Sequence, residues 1–129
     1  MNFKAWVERK LGTTTERARL EFGGAYVFAV KEKAYPVLIV TRAYSHAIYG
    51  IDLARIDRKL RPGVVSEYKE IMDEKEELRR NGLLFNLERQ LKRFQASSSS
   101  IVSYKPKDIV SQIVSVDIEE LEDLARRAI

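Results

Sequence analysis

The chain has 129 residues, 45% of them hydrophobic and 33% charged, and no cysteine. That length fits one domain of about 100–150 residues with its own core, and the lack of cysteine excludes a disulfide scaffold, a thiolate zinc site, an iron–sulfur cluster and a cysteine nucleophile. The net charge of +4 and a pI near 9.4 hint at an anionic partner.

Phe3, Trp6, Val7 and Leu11 recur at helical spacing, with Lys4, Glu8, Arg9 and Lys10 mostly off that stripe. A short amphipathic helix ended by Gly12 is predicted. Thr13 with Glu16 is a capping-box pair for a second short turn over 14–20, and Gly23-Gly24 breaks any helix. AYVFAVK (25–31) reads as a strand, followed by the charged turn Lys31-Glu32-Lys33. YPVLIVTR (35–42) is the strongest strand, with Pro36 at its start, where a missing N–H is tolerated. In 43–53, Ile48, Gly50 and Asp52 alternate with Tyr49, Ile51 and Leu53, which predicts a third strand. Three such strands form an antiparallel meander, and strongly bent meanders of this size commonly close into a small barrel.

Arg61-Pro62-Gly63 ends that section. A helix is predicted over 64–80. Val64, Tyr68, Ile71, Met72, Lys75 and Leu78 lie on one side, and Glu67, Glu70, Asp73, Glu74, Glu76 and Glu77 form an acidic face on the other. Asn81-Gly82 reads as its C-terminal cap. Leu84, Leu87, Leu91 and Phe94 mark a second helix over 83–94, completing a helical hairpin. The serine run 97–100 is a loop, and IVSYKPKD (101–108) continues from it. A helical turn is expected over 108–112 and a last strand over 113–117. Asp117 with Glu120 caps the final helix, whose early acidic residues and late Arg126 and Arg127 suit the helix dipole.

The last strand returns after two helices and is expected to pair with the meander. The expected fold is therefore α+β in one domain, 1–129: a helical segment 1–21, strands within 22–61 and 112–117, an inserted helical hairpin 64–96 and a C-terminal helix 118–129. The strands are expected to form a small antiparallel SH3-like β-barrel or a bent sheet.

Charge is segregated along the chain. Residues 1–21 carry net +2, 22–61 net +4, 62–96 net zero and 97–129 net −2. Such blocks attract partners, or each other between copies. The densest basic cluster is Arg55, Arg58, Lys59 and Arg61, which Lys31, Lys33 and Arg42 extend. Tyr35, Tyr44 and Tyr49 lie in the same region. Basic residues interleaved with aromatics can hold a single strand by phosphate contact and stacking, against the plainer reading of a solvated charged rim. Lys92 and Arg93, and Lys105 and Lys107, are further phosphate-contact candidates. Phe3, Trp6 and Val7 on a short helix are candidates for docking on another protein, with a place for Trp6 in the chain's own core as the equal alternative.

The signals for catalysis are weaker. His46 stands alone without a nucleophile motif, and a surface or turn role is the favoured reading. It also argues against a His-based zinc site. Asp52 and Asp57 could hold Mg²⁺, but a salt-linked strand end is favoured. There is no phosphate-loop motif. No catalytic residue, cofactor, metal or small-molecule substrate is expected. No apolar run reaches the roughly 18–20 residues of a membrane span. The opening MNFKAWVERKLG lacks the apolar stretch of a signal peptide, so a soluble chain not exported by that route is expected.

YPVLIVTRAYSHAIYGIDLARIDRKLR (35–61) resembles a segment of small proteins encoded by tailed bacteriophages. There a Phe/Tyr-Pro-Leu strand precedes an aromatic-x-Gly-x-Asn-Leu strand and an Arg-bearing turn. The matching residues are Tyr35-Pro36-Val37, then Tyr49-Gly50-Ile51-Asp52-Leu53, then Arg61. YKPKDIVSQIVSVDIEEL (104–121) is similar to a later stretch of the same proteins. The chain departs from them at Asp52, where Asn is usual, at Ala54-Arg55-Ile56, where aromatics are usual, and in its shortened Lys31-Glu32-Lys33 loop. The resemblance implies a virion or genome-packaging protein, some relatives being labelled structural protein or DNA-end protector. It implies residence in the virion or host cytoplasm, with other virion proteins or copies of itself as partners and DNA as a further one. A fainter resemblance links the Pro36-started strand to the small barrel of toxin-type ribonucleases.

Three functions follow in order of expectation. The first is a non-enzymatic structural or assembly protein of the phage head–tail junction, tail or baseplate, acting through protein–protein contacts. The second is a small nucleic-acid-binding barrel using 31–61. The third is a nuclease relying on His46 or Asp52.

Overall fold

The computed structural model describes residues 3–13, 17–31, 34–94 and 100–127. Within them, α1 (Phe3–Thr13) leads to β1 (Ala25–Val27), β2 (Val37–Ala43) and β3 (Ile48–Asp52). The helices α2 (Arg61–Met72) and α3 (Glu77–Phe94) come next, then β4 (Ile101–Tyr104), β5 (Val114–Ser115) and α4 (Ile118–Arg127). The fold is α+β. Its sheet is antiparallel, in the order β4-β3-β2-β1-β5. The predicted meander and its pairing with the last strand are both present. The sheet is open: β4 and β5 are its edges, and no pairing among the described residues joins them into a barrel.

β2 is buried on both faces. Val37 and Ile39 face the main core, which holds Trp6, Val7, Ile51, Leu53, Val64, Tyr68, Leu84, Leu87 and Leu121 from all four helices and the sheet. Leu38 and Val40 face a second core with Tyr26, Phe28, Val30 and Ile48, covered by Ala18, Leu20, Tyr104, Ile109 and Ile113. This two-sided burial explains why VLIV is continuously apolar rather than alternating.

Several boundaries differ from expectation for identifiable reasons. β1 ends at Val27 because the next residues change partner. The Ala29 N–H donates to Ser111 Oγ at 2.7 Å, the Val110 N–H donates to the Ala29 carbonyl at 2.9 Å, and Val30 bridges Ala34 and Ile109. Residues 17–20 are not helical; the Ala18 N–H donates to the Ile113 carbonyl instead. Glu16, the other half of the expected capping box, lies outside the described residues, as do Glu32, Lys33 and Ser97 to Ser99 of the expected turn and serine loop.

The expected stop at Arg61-Pro62-Gly63 is the start of α2, with Pro62 in the first turn, where its missing N–H costs nothing. The first helix ends at Met72, not at Arg80, and α3 runs through Asn81-Gly82. A helical glycine costs about 1 kcal/mol, which the buried Leu84, Leu87 and Leu91 stripe outweighs. Consequently the six acidic residues are split between two helices and their link, and Lys75 and Leu78 are exposed. IVSYKPKD holds the edge strand β4, then a short 3₁₀ turn (Pro106–Asp108) in place of the helical turn expected over 108–112. Asp117 and Glu120 do form the predicted reciprocal cap, with bonds of 2.8 and 3.3 Å.

Two glycines are dictated by the fold. Gly23 adopts φ 84°, and its carbonyl accepts a hydrogen bond from the Tyr68 hydroxyl at 2.5 Å. Gly50 of β3 lies opposite Val40 of β2, and a Cβ there would lie 2.2 Å from the Ile39 carbonyl oxygen and 2.9 Å from Leu38 Cδ1. Gly50→Ala is therefore expected to destabilise the chain by about 3 kcal/mol, as backbone overpacking does. A urea-unfolding midpoint unchanged from the natural chain would refute this reading.

Candidate functional site

Trp6 and Val7 pack into this chain's own core. They form no free face for another protein, because the amphipathic stripe of α1 is spent on β1 and the main core. Phe3 opens α1, and its side chain lies outside the described residues.

The basic cluster of 31–61 does not assemble as one patch. Lys33 lies outside the described residues, and Lys31 pairs with Asp108 at 3.6 Å. Arg61 is 8% exposed. Its Nε donates to the Leu53 and Ile56 carbonyls at 3.0 and 2.9 Å, and its Nη2 donates to the Ala54 carbonyl at 3.3 Å. Arg61 thus binds the turn after β3 and is withdrawn from any external anion. Arg55 pairs with Asp52 at 3.5 Å. Arg58 and Lys59 are exposed at this end of β3.

Asp52 is 2% exposed. Its Oδ1 accepts from the Val37 and Ala54 N–H groups at 3.1 and 3.0 Å, and its Oδ2 accepts from the Tyr104 hydroxyl at 3.4 Å. One carboxylate thereby ties the start of β2 to the turn after β3 and to β4. Burial pushes the Asp52 carboxyl above the usual carboxylate range, against these donors and Arg55. Burial, then the Asp52 charge, pushes Tyr104 up to about 12. His46 and Asp52 flank β3 at opposite ends, so the two residues of the nuclease reading do not meet.

The opposite end of the sheet assembles a different group. Between Val40 and Arg42 the register with β3 shifts. Thr41, on the face of Val37 and Ile39, is buried, its hydroxyl donating to Glu88 of α3, and the bulge brings Arg42 onto the same face. Arg42 pairs across the strands with Tyr49. Its guanidinium lies 5.8 Å from the Phe85 ring centroid and 4.0 Å from Glu88, with the side chain 49% exposed. Phe85, Glu88, Arg89 and Lys92 share one face of α3 by their three- and four-residue spacing. With Arg42 they line a concave pocket of about 390 Å³. Three cations and one carboxylate border it. That carboxylate, 6% exposed, is held by Thr41 and Arg42, so it restrains one cation and leaves the balance positive.

Beside Arg42 is the β2–β3 turn, closed by the Tyr44 N–H donating to the Ala47 carbonyl at 2.9 Å. Tyr44 stacks on His46 with centroids 5.6 Å apart and planes 9° from parallel. Tyr49 meets Tyr44 edge-on at 6.0 Å. Arg42 and Lys92 were visible as sequence candidates, but Phe85, Glu88 and Arg89 were not. The signal for them was Glu88 beside the Leu84, Leu87, Leu91 stripe, a carboxylate bordering an apolar face.

Among the described residues no group of His, Cys, Asp or Glu is arranged to hold a metal ion, and no helix is long and apolar enough to cross a membrane. The chain matches no protein-family model, no curated protein and no solved structure.

The Asp52 geometry sets a pH dependence. A raised folded-state pKa means that the folded chain holds this proton more tightly than the unfolded chain does. The stability it contributes is fully present below the unfolded value and is lost as pH rises through the folded value. Asp52→Asn keeps an oxygen acceptor for Val37 and Ala54 but does not titrate. Relative to that variant, the natural chain is expected to lose stability as pH is raised from about 4. Urea midpoints for both chains across that range test this, and a pH-independent difference would rule it out.

Proposed function

We propose that the chain is a non-enzymatic binding protein that holds the phosphate backbone of a nucleic acid in the pocket between β2 and α3. The carrying observation is that Arg42, Arg89 and Lys92, from two distant segments, border one concave site with Phe85. A guanidinium seated over an aromatic ring and restrained by Glu88 is already oriented, so less freedom is lost when it meets a phosphate. An open sheet serves this reading as well as an SH3-like barrel. In fluorescence anisotropy with a labelled oligonucleotide, binding should weaken steeply with salt. The double variant Arg89→Ala/Lys92→Ala should bind about tenfold or more weakly, with the salt slope lowered by about two. Absence of binding at about 50 mM salt would remove this function.

A second reading, an assembly protein of the virion acting through protein–protein contacts, is favoured by a different observation. Leu60, 49% exposed, borders an apolar groove of about 400 Å³ with Val64, Leu87 and Leu91, between α2 and α3. Val64, Leu87 and Leu91 are buried behind Leu60, and an exposed apolar side chain at the mouth of such a groove is what a docking partner covers. Light scattering on the purified chain should then give a mass above the monomer, and Leu60→Glu should restore the monomer. A monomer at all concentrations, with no copy found in purified particles, would end this reading.

A further inference from the structure

The turn between β2 and β3 carries an exposed aromatic stack that the phosphate pocket does not use. Tyr44 is 51% exposed, lies nearly parallel to His46 and is buttressed edge-on by Tyr49. The turn is held by its own backbone hydrogen bond from Tyr44 to Ala47. Tyr49 is the cross-strand partner of Arg42, and Arg42 borders the pocket. The stack and the pocket are therefore adjoining parts of one surface, joined through the Arg42–Tyr49 pair.

We infer that this surface selects single-stranded over double-stranded nucleic acid, with Tyr44 stacking on a base while Arg42, Arg89 and Lys92 hold the neighbouring phosphates. This rests on the phosphate-binding reading and deepens it. In a duplex the base faces are already stacked on one another, so an aromatic ledge gains nothing from them. In a single strand each base has a free face, and stacking is tolerant of sequence because every base presents one. The parallel Tyr44–His46 pair presents a platform whose orientation is set before the strand arrives, which limits the ordering cost of binding.

The test uses the full chain and four labelled probes of equal charge density where possible: an oligothymidylate of about 12 nucleotides, an abasic oligomer of the same length, a duplex, and polyglutamate. The oligothymidylate is expected to bind at least about tenfold more tightly than the abasic oligomer, the duplex or polyglutamate, since one stacked base accounts for about that factor. Tyr44→Ala should remove that preference, and Tyr44→Phe should keep it. Tyr44 is exposed, so neither variant threatens the fold, and Tyr44→Phe guards against a turn that has merely loosened. Equal binding of the four probes, or full preference in Tyr44→Ala, overturns single-strand selection while leaving the charged pocket standing. Failure of every nucleic-acid probe to bind overturns the phosphate reading itself.

Discussion

β2 must be covered on both faces, and most of the architecture follows from that constraint. Val37, Leu38, Ile39 and Val40 are each fully buried. At about 2 kcal/mol for each such side chain, their burial is worth about 8 kcal/mol, comparable with the whole net stability of a small domain. One cover is helical. The other is built from the 18–20 and 104–113 segments, which carry little regular structure yet supply Leu20, Tyr104, Ile109 and Ile113. Removing either cover would expose half of β2, so the irregular segments are as necessary to the fold as the helices. The close packing of β2 on β3 at Gly50 belongs to the same constraint, because no side chain fits between Ile39 and Gly50.

Among the described residues three charged side chains, Asp52, Arg61 and Glu88, are buried around this strand, and each is compensated differently. Arg61 is satisfied by the backbone carbonyls of the turn after β3. Asp52 is satisfied mainly by backbone N–H groups and a tyrosine hydroxyl. Glu88 is satisfied by Thr41 and faces Arg42. Backbone partners cannot move without unfolding, so Arg61 and Asp52 are structural. Asp52 also pairs with the half-exposed Arg55, but its backbone donors fix it. Glu88 is held by side chains, Thr41 and the half-exposed Arg42 at a pocket mouth, where the arginine can meet a second anion. A buried ion whose partner reaches solvent is where an internal restraint becomes a binding geometry.

Legibility in the sequence followed the range of the forces involved. The meander, the Asp117–Glu120 cap and the Leu84–Leu87–Leu91 stripe are local patterns, and each was readable. β4 was not, because Ile101, Val102 and Tyr104 are only partly buried at a sheet edge and follow a serine run. The break between α2 and α3 was misread because Asn81-Gly82 carries a strong local stop signal that tertiary packing overrides. The second core was hidden because Ala18 and Leu20 join it from non-helical backbone, with no period to detect. At the site, Arg42 and Lys92 were visible as cations, but their meeting depends on a one-residue bulge at Thr41. Nothing in a linear pattern announces that bulge.

The bulge also decides how linear charge becomes surface charge. The most basic block, 22–61, loses Arg61 to the interior and has Arg55 paired at one end of β3. Its Arg42, at the other end, meets Arg89 and Lys92 from a block that is neutral overall. The density of basic residues along the chain therefore does not mark the end of β3 where Arg42, Arg89 and Lys92 border a concavity. The end that gathers cations around a concavity is the end where regular pairing is broken. Under regular alternation from Val40, Thr41 would stay on the face of Val37 and Ile39 and the next residue would turn to the opposite face. Arg42 would then leave the face it shares with Tyr49 and Phe85. The irregularity in β2 is thus what joins a core built for stability to a surface suited to binding.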